Sequence, residues 1–319
     1  MKWRMVLVVL VCAAAFLWPG AAQAESEQVY FRINDQGSYG GSSEMGFVYI
    51  SDSGRTMMPL GLVSDGLGFT AKEDDGKIHI FNETKGVDLW LEVGSRSYTF
   101  NDKKGRFKTA PLERDGHVYL PVRDFGKLFG SVYWDNATRV VWLYCDDAPL
   151  YDVIGDKLLR ADEDGIHKAA LPKGFDLEGV ADMSVVIEPV TQVVCNDVIY
   201  LRINCEGVFD QPIPLFRVED DGTLTYLCDV PGSGGFAVDG ERLYTTANMN
   251  AGGWNSADND PTTLYATTLG DAPTTTTYHM NFEIVRCQLQ IDGNDLIATN
   301  GDERHVIALN ALEAFEAMN

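Results

Sequence analysis

The residues best suited to chemistry lie in one stretch, Asn248–Pro261. Trp254 follows Gly252-Gly253 there and is itself followed by Asp258, Asn259 and Asp260. Two carboxylates and an amide in a row offer hard oxygen donors of the kind Ca²⁺ takes, and an exposed indole stacks on the apolar face of a sugar. The spacing is not that of an EF-hand, which needs glycine at the sixth loop position and glutamate at the twelfth. Trp254, Asp258, Asn259 and Asp260 are therefore the candidate ligand-binding set, weighed against the plainer reading of a solvated loop. The stretch is longer than a hairpin needs, and long loops on β-scaffolds are usually functional or disordered.

The rest of the chain offers little else of this kind. His79, His117, His167, His279 and His305 stand far apart, and none has an acidic neighbour at zinc-protease spacing. No G-x-S-x-G, S-x-x-K or H-E-x-x-H segment occurs. No catalytic residue, metal site or cofactor is assigned from the sequence. A hydrolase working through carboxylates distant in sequence stays open, because such pairs leave no local spacing. Five cysteines follow residue 24: Cys145, Cys195, Cys205, Cys228 and Cys287. An odd number leaves at least one unpaired, and their apolar neighbours suit small core residues. Cys195 and Cys205 flank a short strand and are the one pair placed to bridge neighbouring strands.

The full chain of 319 residues carries 47 acidic and 25 basic side chains, a net charge of −22. Residues 1–24 have the form of a signal peptide. Lys2 and Arg4 precede the apolar run Met5–Trp18, and Ala22-Gln23-Ala24 supplies a small-x-small cleavage site. Loss of Lys2 and Arg4 makes the charge two units more negative. The product is expected to be exported, whether extracellular, at the cell surface or periplasmic, and free of the membrane after cleavage. Its acidity is spread along the chain and argues against nucleic acid or anionic lipid as partner, since both are repelled.

The candidate loop lies in the second half of the chain, and the first half shows a scaffold of its own through a duplication. Ser53–Leu60, Gly68 and Ile78–Ile80 are echoed by Asp115–Val122, Gly130 and Val140–Trp142. Pro59 and Pro121 lie 62 positions apart, as do Gly68 and Gly130. Fixed punctuation of this sort marks two copies of one supersecondary unit. Val118, Leu120 and Val122 alternate as in a half-buried strand, and Val122, Phe125, Leu128 and Phe129 then follow helical spacing for about two turns. Gly68 and Gly130 are expected to end their helices in the left-handed conformation. Each unit thus reads as strand, short helix and β-hairpin.

Gly54-Arg55-Thr56-Met57-Met58-Pro59-Leu60 and Val118-Tyr119-Leu120-Pro121-Val122-Arg123, with Trp134-Asp135-Asn136-Ala137-Thr138, resemble the copper amine oxidase N-terminal-like (stalk) domain of bacterial envelope proteins. The second copy is near the family's form. The first departs from it at Gly61, where the family usually has arginine, and at Lys72, where it usually has tryptophan. The resemblance implies an accessory adhesion, spacing or ligand-contacting module and no oxidase. It brings no copper expectation, and His79 and His117 fall at non-equivalent places in the two copies.

Residues 146–319 read as a second repeat array. Asp197–Leu201, Gly240–Thr245 and Gly293–Ala298 echo one another, and Leu158–Gly165 is echoed by Leu215–Gly222, Leu264–Gly270 and Val306–Asn310. The pattern is similar to β-propeller blades, with a four-bladed ring, an open array or a β-sandwich as alternatives. The expected organisation is a signal peptide at 1–24, a stalk domain at 25–145 and a β-propeller-like domain at 146–319. The expected fold class is mainly β with short helices. The function expected from this organisation is a non-catalytic envelope protein whose stalk contacts a cell-wall polymer or another envelope protein. Alternatives are an extracytoplasmic glycan or small-ligand sensor and a polysaccharide hydrolase.

Overall fold

The computed structural model describes residues 28–316 apart from 36–39, 176, 178–189, 204–212, 231–233 and 248–259. The expected leader, Cys205 and the loop residues Trp254, Asp258 and Asn259 lie outside the described residues. The described chain is mainly β, with three short helices at Leu60–Leu67, Val122–Gly126 and Leu309–Glu316. No helix among the described residues is long and apolar enough to cross a membrane.

The duplicated unit folds as strand, helix and hairpin in both copies. Strands Thr56–Pro59 and His117–Pro121 run antiparallel, with Met58 opposite Leu120. Those two residues are equivalent positions of the repeat, so an approximate twofold axis passes between them. Each strand ends in the repeated proline, at φ −64° for Pro59 and −73° for Pro121, and the helix starts at the next residue. Proline's fixed φ and missing N–H cost nothing at such a junction. Gly68 closes the first helix at φ 65°, ψ 34°, as expected.

Gly130 departs from the expectation. The second helix stops at Gly126, with Lys127 right-handed, and Gly130 is not left-handed. The chain turns off early through Leu128 N–H to Phe125 O and Gly130 N–H to Gly126 O. A Cβ on Gly126 would run into Val132, and one on Gly130 into the Tyr144 carbonyl. Both glycines are there for close approach of the hairpin, which leaves no room for a second helical turn.

Each unit is also longer than its sequence echo. Strands Tyr49–Ile50 and Leu112–Arg114 precede and pair with the proline strands, giving a four-stranded sheet that the twofold maps onto itself. The turn Asp115-Gly116 has φ of 53° and 78°, the double positive φ that Asp-Gly supplies in a tight hairpin. Beyond the helices, the hairpins diverge. Thr70–Asp74 and Lys77–Asn82 continue into Val87–Glu92, Ser97–Phe100 and Lys103–Arg106 as a five-stranded meander. Ser131–Asp135 and Val140–Tyr144 instead gain the N-terminal strand Tyr30–Ile33, which pairs in parallel with Val140–Leu143. Met58, Val63, Leu67, Ile78, Ile80, Leu120, Val122 and Phe125 form a common core. Each large apolar side chain buried there contributes roughly 1.5–3 kcal/mol.

From Leu150 onward the described strands form four successive antiparallel meanders of three, four, four and three strands. Their first strands, Leu150–Ile154, Val190–Cys195, Phe236–Val238 and Gln288–Asp292, neighbour one another in order. The echoes at Val198–Ile203, Arg242–Thr246 and Asp295–Asn300 are the second strand of their sheets. The other series mixes positions, because Leu158 lies on a second strand while Leu215 and Leu264 lie on third strands. An apolar strand closed by an acidic Gly turn looks the same wherever it sits in a meander.

The two regions share packing. Val140, Trp142 and Tyr144 form one apolar cluster with Ile154, Leu159 and Ala161, on the far side of residue 145. The Trp142 indole N–H donates to the Asn34 carbonyl at 2.8 Å.

Candidate ligand-binding cleft

A cleft of about 270 Å³ is built by both copies of the duplicated unit. The first copy contributes Gly54, Arg55 and Thr56 from the start of its proline strand. The second contributes Pro121, Val122, Arg123 and Asp124 from its strand–helix junction, and Val132, Trp134, Asn136 and Val141 from its hairpin. These come together because Thr56–Pro59 runs antiparallel to His117–Pro121, which brings the first residues of one strand beside the last of the other. Pro121, Val122, Val132 and Val141 make an apolar floor. Half-buried Trp134 forms a wall, and its indole N–H meets no acceptor among the described residues.

The polar groups of the cleft divide in two. Asp124 is used internally, since its Oδ2 accepts the backbone N–H of Lys108 at 2.7 Å and of Thr109 at 3.1 Å and so pins that loop at the rim. Arg55 and Arg123 are exposed, and among the described residues no carboxylate lies within ion-pair distance of either guanidinium. Both arginines face one hollow in a chain of 47 acids and 25 bases. They create a local positive site inside a negative protein, which favours a ligand that brings its own negative charge.

The twofold generates an equivalent place in the first copy, and its residues differ. There Arg55 is replaced by His117, Arg123 by Gly61, Trp134 by Lys72 and Asn136 by Asp74. The small hairpin Gly41–Ser42 and Gly46–Phe47 lies beside Gly61 and His117. Met45 comes so near Gly61 that a Cβ there would touch its Cγ at 3.7 Å. Gly46 packs against Tyr119 and the His117 ring, and the Lys72 ammonium lies 5.1 Å from the centre of the Phe81 ring. The two departures of the first copy, Gly61 and Lys72, thus leave that place without the arginine and the tryptophan of the second copy.

Asp135, next to Trp134, sets the geometry of the cleft's hairpin. Its Oδ1 accepts from the Ala137 and Thr138 backbone N–H groups and the Thr138 hydroxyl, and its Oδ2 from the Lys157 ammonium at 2.7 Å. Burial alone would raise this carboxyl, but Lys157 and Thr138 outweigh it and hold it below the ordinary aspartate range. Lys157 is pushed upward in turn, chiefly by Asp135 and then Asp156.

The loop set Trp254, Asp258, Asn259 and Asp260 can be placed only through its last member. Asp260 Oδ1 accepts from the backbone N–H and hydroxyl of Thr262, and Oδ2 lies 3.1 Å from His279 Nδ1. These contacts lower its carboxyl, Thr262 most. Oδ1 serves the turn into strand Thr263–Thr268, and Oδ2 reaches the end of the paired strand Thr275–His279. Among the described residues no group of three or more His, Cys, Asp or Glu side chains is gathered as a metal site needs. The histidines are dispersed: His79 stacks on Trp90 at 3.8 Å, and His305 on Phe282 at 3.7 Å. Cys145, Cys195, Cys228 and Cys287 are free thiols. Burial raises each of them, Cys228 to about 11.

Sequence reasoning missed the cleft, although its residues Gly54-Arg55-Thr56, Arg123 and Trp134 are the ones that carried the family resemblance. The signal was present in the motif. What was absent was the pairing that makes two motif copies into one site.

Residues 40–143 match the family model of the copper amine oxidase N-terminal domain, which spans both copies of the unit and every lining residue of the cleft. No curated protein matches the chain. Among solved structures, one titled "Structure of YjhT" is similar over 72% of this chain and 70% of its own, at 10% identity and a TM-score of 0.30. Apo AztD from Citrobacter koseri is similar over 76% of this chain and 60% of its own, at 14% identity and a TM-score of 0.21. Both likenesses are distant.

Proposed function

We propose that this chain is an exported, non-catalytic protein of the cell envelope, whose duplicated N-terminal domain contacts a cell-wall polymer through the Arg55–Arg123 cleft. The observation that carries this reading is the asymmetry of the duplication. The hollow takes Arg123 and Trp134 from the second copy, where the first copy carries Gly61 and Lys72 at the equivalent positions. The four meanders that follow serve, on this reading, as a propeller-like platform that presents a further interaction surface. The leader-like residues 1–24 and the match to an accessory rather than catalytic domain support export and the non-catalytic role.

Sedimentation with purified, insoluble wall polymer tests this directly. The intact chain is expected to co-sediment, and the double variant Arg55→Gln with Arg123→Gln to stay in the supernatant with an unchanged melting curve. Equal recovery of both proteins in the pellet would remove the cleft from the function. Turnover on a panel of polysaccharides would replace the non-catalytic reading with a hydrolase.

A further inference from the structure

We infer that the cleft takes a single carboxylate carried on a short, otherwise uncharged peptide, with Arg55 and Arg123 holding the carboxylate and Trp134 the adjoining residue. This rests on the cleft being the contact site, and it adds the chemistry of what is contacted. Three observations lead to it.

The first is charge complementarity of a restricted kind. Two guanidinium groups without partners among the described residues line one wall and rim, and guanidinium forks match carboxylate geometry. The second is the field around them. Asp124 lines the same cleft as Arg55 and Arg123, so the surplus positive charge there is small and matches one anionic group rather than many. With a screening length of about 8 Å at physiological salt, an isolated carboxylate inside the hollow is governed by its near neighbours. A lone anionic end is therefore favoured where a polyanion is not. The third is size and lining. A hollow of about 270 Å³ lies just under the usual range of roughly 300–1,000 Å³ for small-ligand sites, enough for about two small residues. Its floor of Val122, Val132 and Val141 suits methyl groups, and the indole N–H of Trp134 offers a donor to a peptide carbonyl.

The test uses N-acetyl-alanyl-alanine, in L,L and D,D forms, and the matching C-terminal carboxamides, titrated into the isotopically labelled chain and followed by amide NMR shifts. Shifts are expected at Gly54, Thr56, Thr109 and Asn136, with the carboxylate binding at least tenfold more tightly than the carboxamide. Arg55→Gln and Arg123→Gln are each expected to weaken it at least fivefold. A preference for the D,D form marks the peptide ends of wall polymers as the source, and a preference for L,L marks protein C-termini. Equal binding of carboxylate and carboxamide, shifts confined to other parts of the chain, or no shift at millimolar probe overturns the inference. Loss of sedimentation in the arginine variants together with any of those results leaves the contact reading standing and removes only the carboxylate. Probe binding that depends on both arginines, while wall sedimentation does not, keeps the carboxylate site and removes the wall contact.

Discussion

Arg32 and Asp152 lie 120 residues apart in sequence and meet in a buried ion pair, with Arg32 Nη1 at 2.7 Å and 2.6 Å from the two carboxylate oxygens. The arginine side chain is 2% exposed. The pair ties the N-terminal strand Tyr30–Ile33 to Leu150–Ile154, the first strand of the first meander. Asp152 Oδ1 also accepts the Val153 N–H at 2.8 Å. Removing one member takes a buried ion-pair partner from the other. Asp152→Ala is expected to cost about 3–5 kcal/mol in urea unfolding, whereas replacing both residues with apolar ones of similar volume should cost much less. A single variant within about 1 kcal/mol of the parent would show that water reaches the pair.

The hairpin turn at the cleft should titrate. Asp135 has a native pKa below its unfolded value, so its contribution is complete above the ordinary aspartate pKa of about 3.9 and is lost as pH falls through the lower native value. Lys157, raised by the same contact, begins to lose its contribution only as pH climbs above about 10.4. Asp135→Asn should therefore be less stable than the parent by about 2 kcal/mol at pH 7, and the gap should close towards pH 2. A gap constant with pH would separate the hydrogen bonds from the charge.

Two tryptophans that look alike in sequence should behave differently. Trp142 is fully buried, and Trp142→Ala is expected to cost about 3–5 kcal/mol. Trp134 only half packs against the core, so Trp134→Ala should cost clearly less in a melt while abolishing probe binding in the cleft. Sequence alternation alone assigns both to the interior, because period two reports which face a residue is on and not whether that face is covered.

The two glycines at matching repeat positions should also part company. Gly68→Ala meets open space but a left-handed φ of 65°, which costs about 1–2 kcal/mol. Gly130→Ala drives a methyl into the Tyr144 carbonyl, and the backbone shift it forces should cost about 1–3 kcal/mol and broaden the amide signals of Val132 and Tyr144. Equal effects would mean that the second hairpin yields.

What could be read from the chain was what is local: the proline junctions, the glycine stop at Gly68, the Asp-Gly turns and the alternation of Val118, Leu120 and Val122. What could not be read was which strands touch. Met58 facing Leu120, Tyr30–Ile33 lying parallel to Val140–Leu143, and Arg55 reaching the same hollow as Arg123 are all long-range pairings. None imposes a period on the residues between. The loop set rests on residue type alone, and Asp260, its one described member, bonds Thr262 in its own turn and His279 on the paired strand.

Trp142 also bears on where a fragment can be cut. A piece ending at residue 146 leaves Val140, Trp142 and Tyr144 without Ile154, Leu159 and Ala161. Such a fragment is expected to bind a hydrophobic dye and melt broadly, whereas one extended through Lys168 should melt cooperatively without dye binding. A sharp, dye-free transition for the shorter piece would show that the first domain is complete without the first meander.

The parallel pairing of Tyr30–Ile33 with Val140–Leu143 fixes how the protein bears load. A pull on the amino end draws Tyr30 one way, and a pull passed back from the carboxyl end draws Tyr144 the other. Because the strands run in the same direction, tension slides one along the other and strains their ladder of hydrogen bonds all at once. A hairpin pulled from its open end gives way one bond at a time. The segment that joins the two halves is thus arranged as a clamp, with the Arg32–Asp152 pair as its bolt, and a chain tethered at one end and tugged at the other would yield there last.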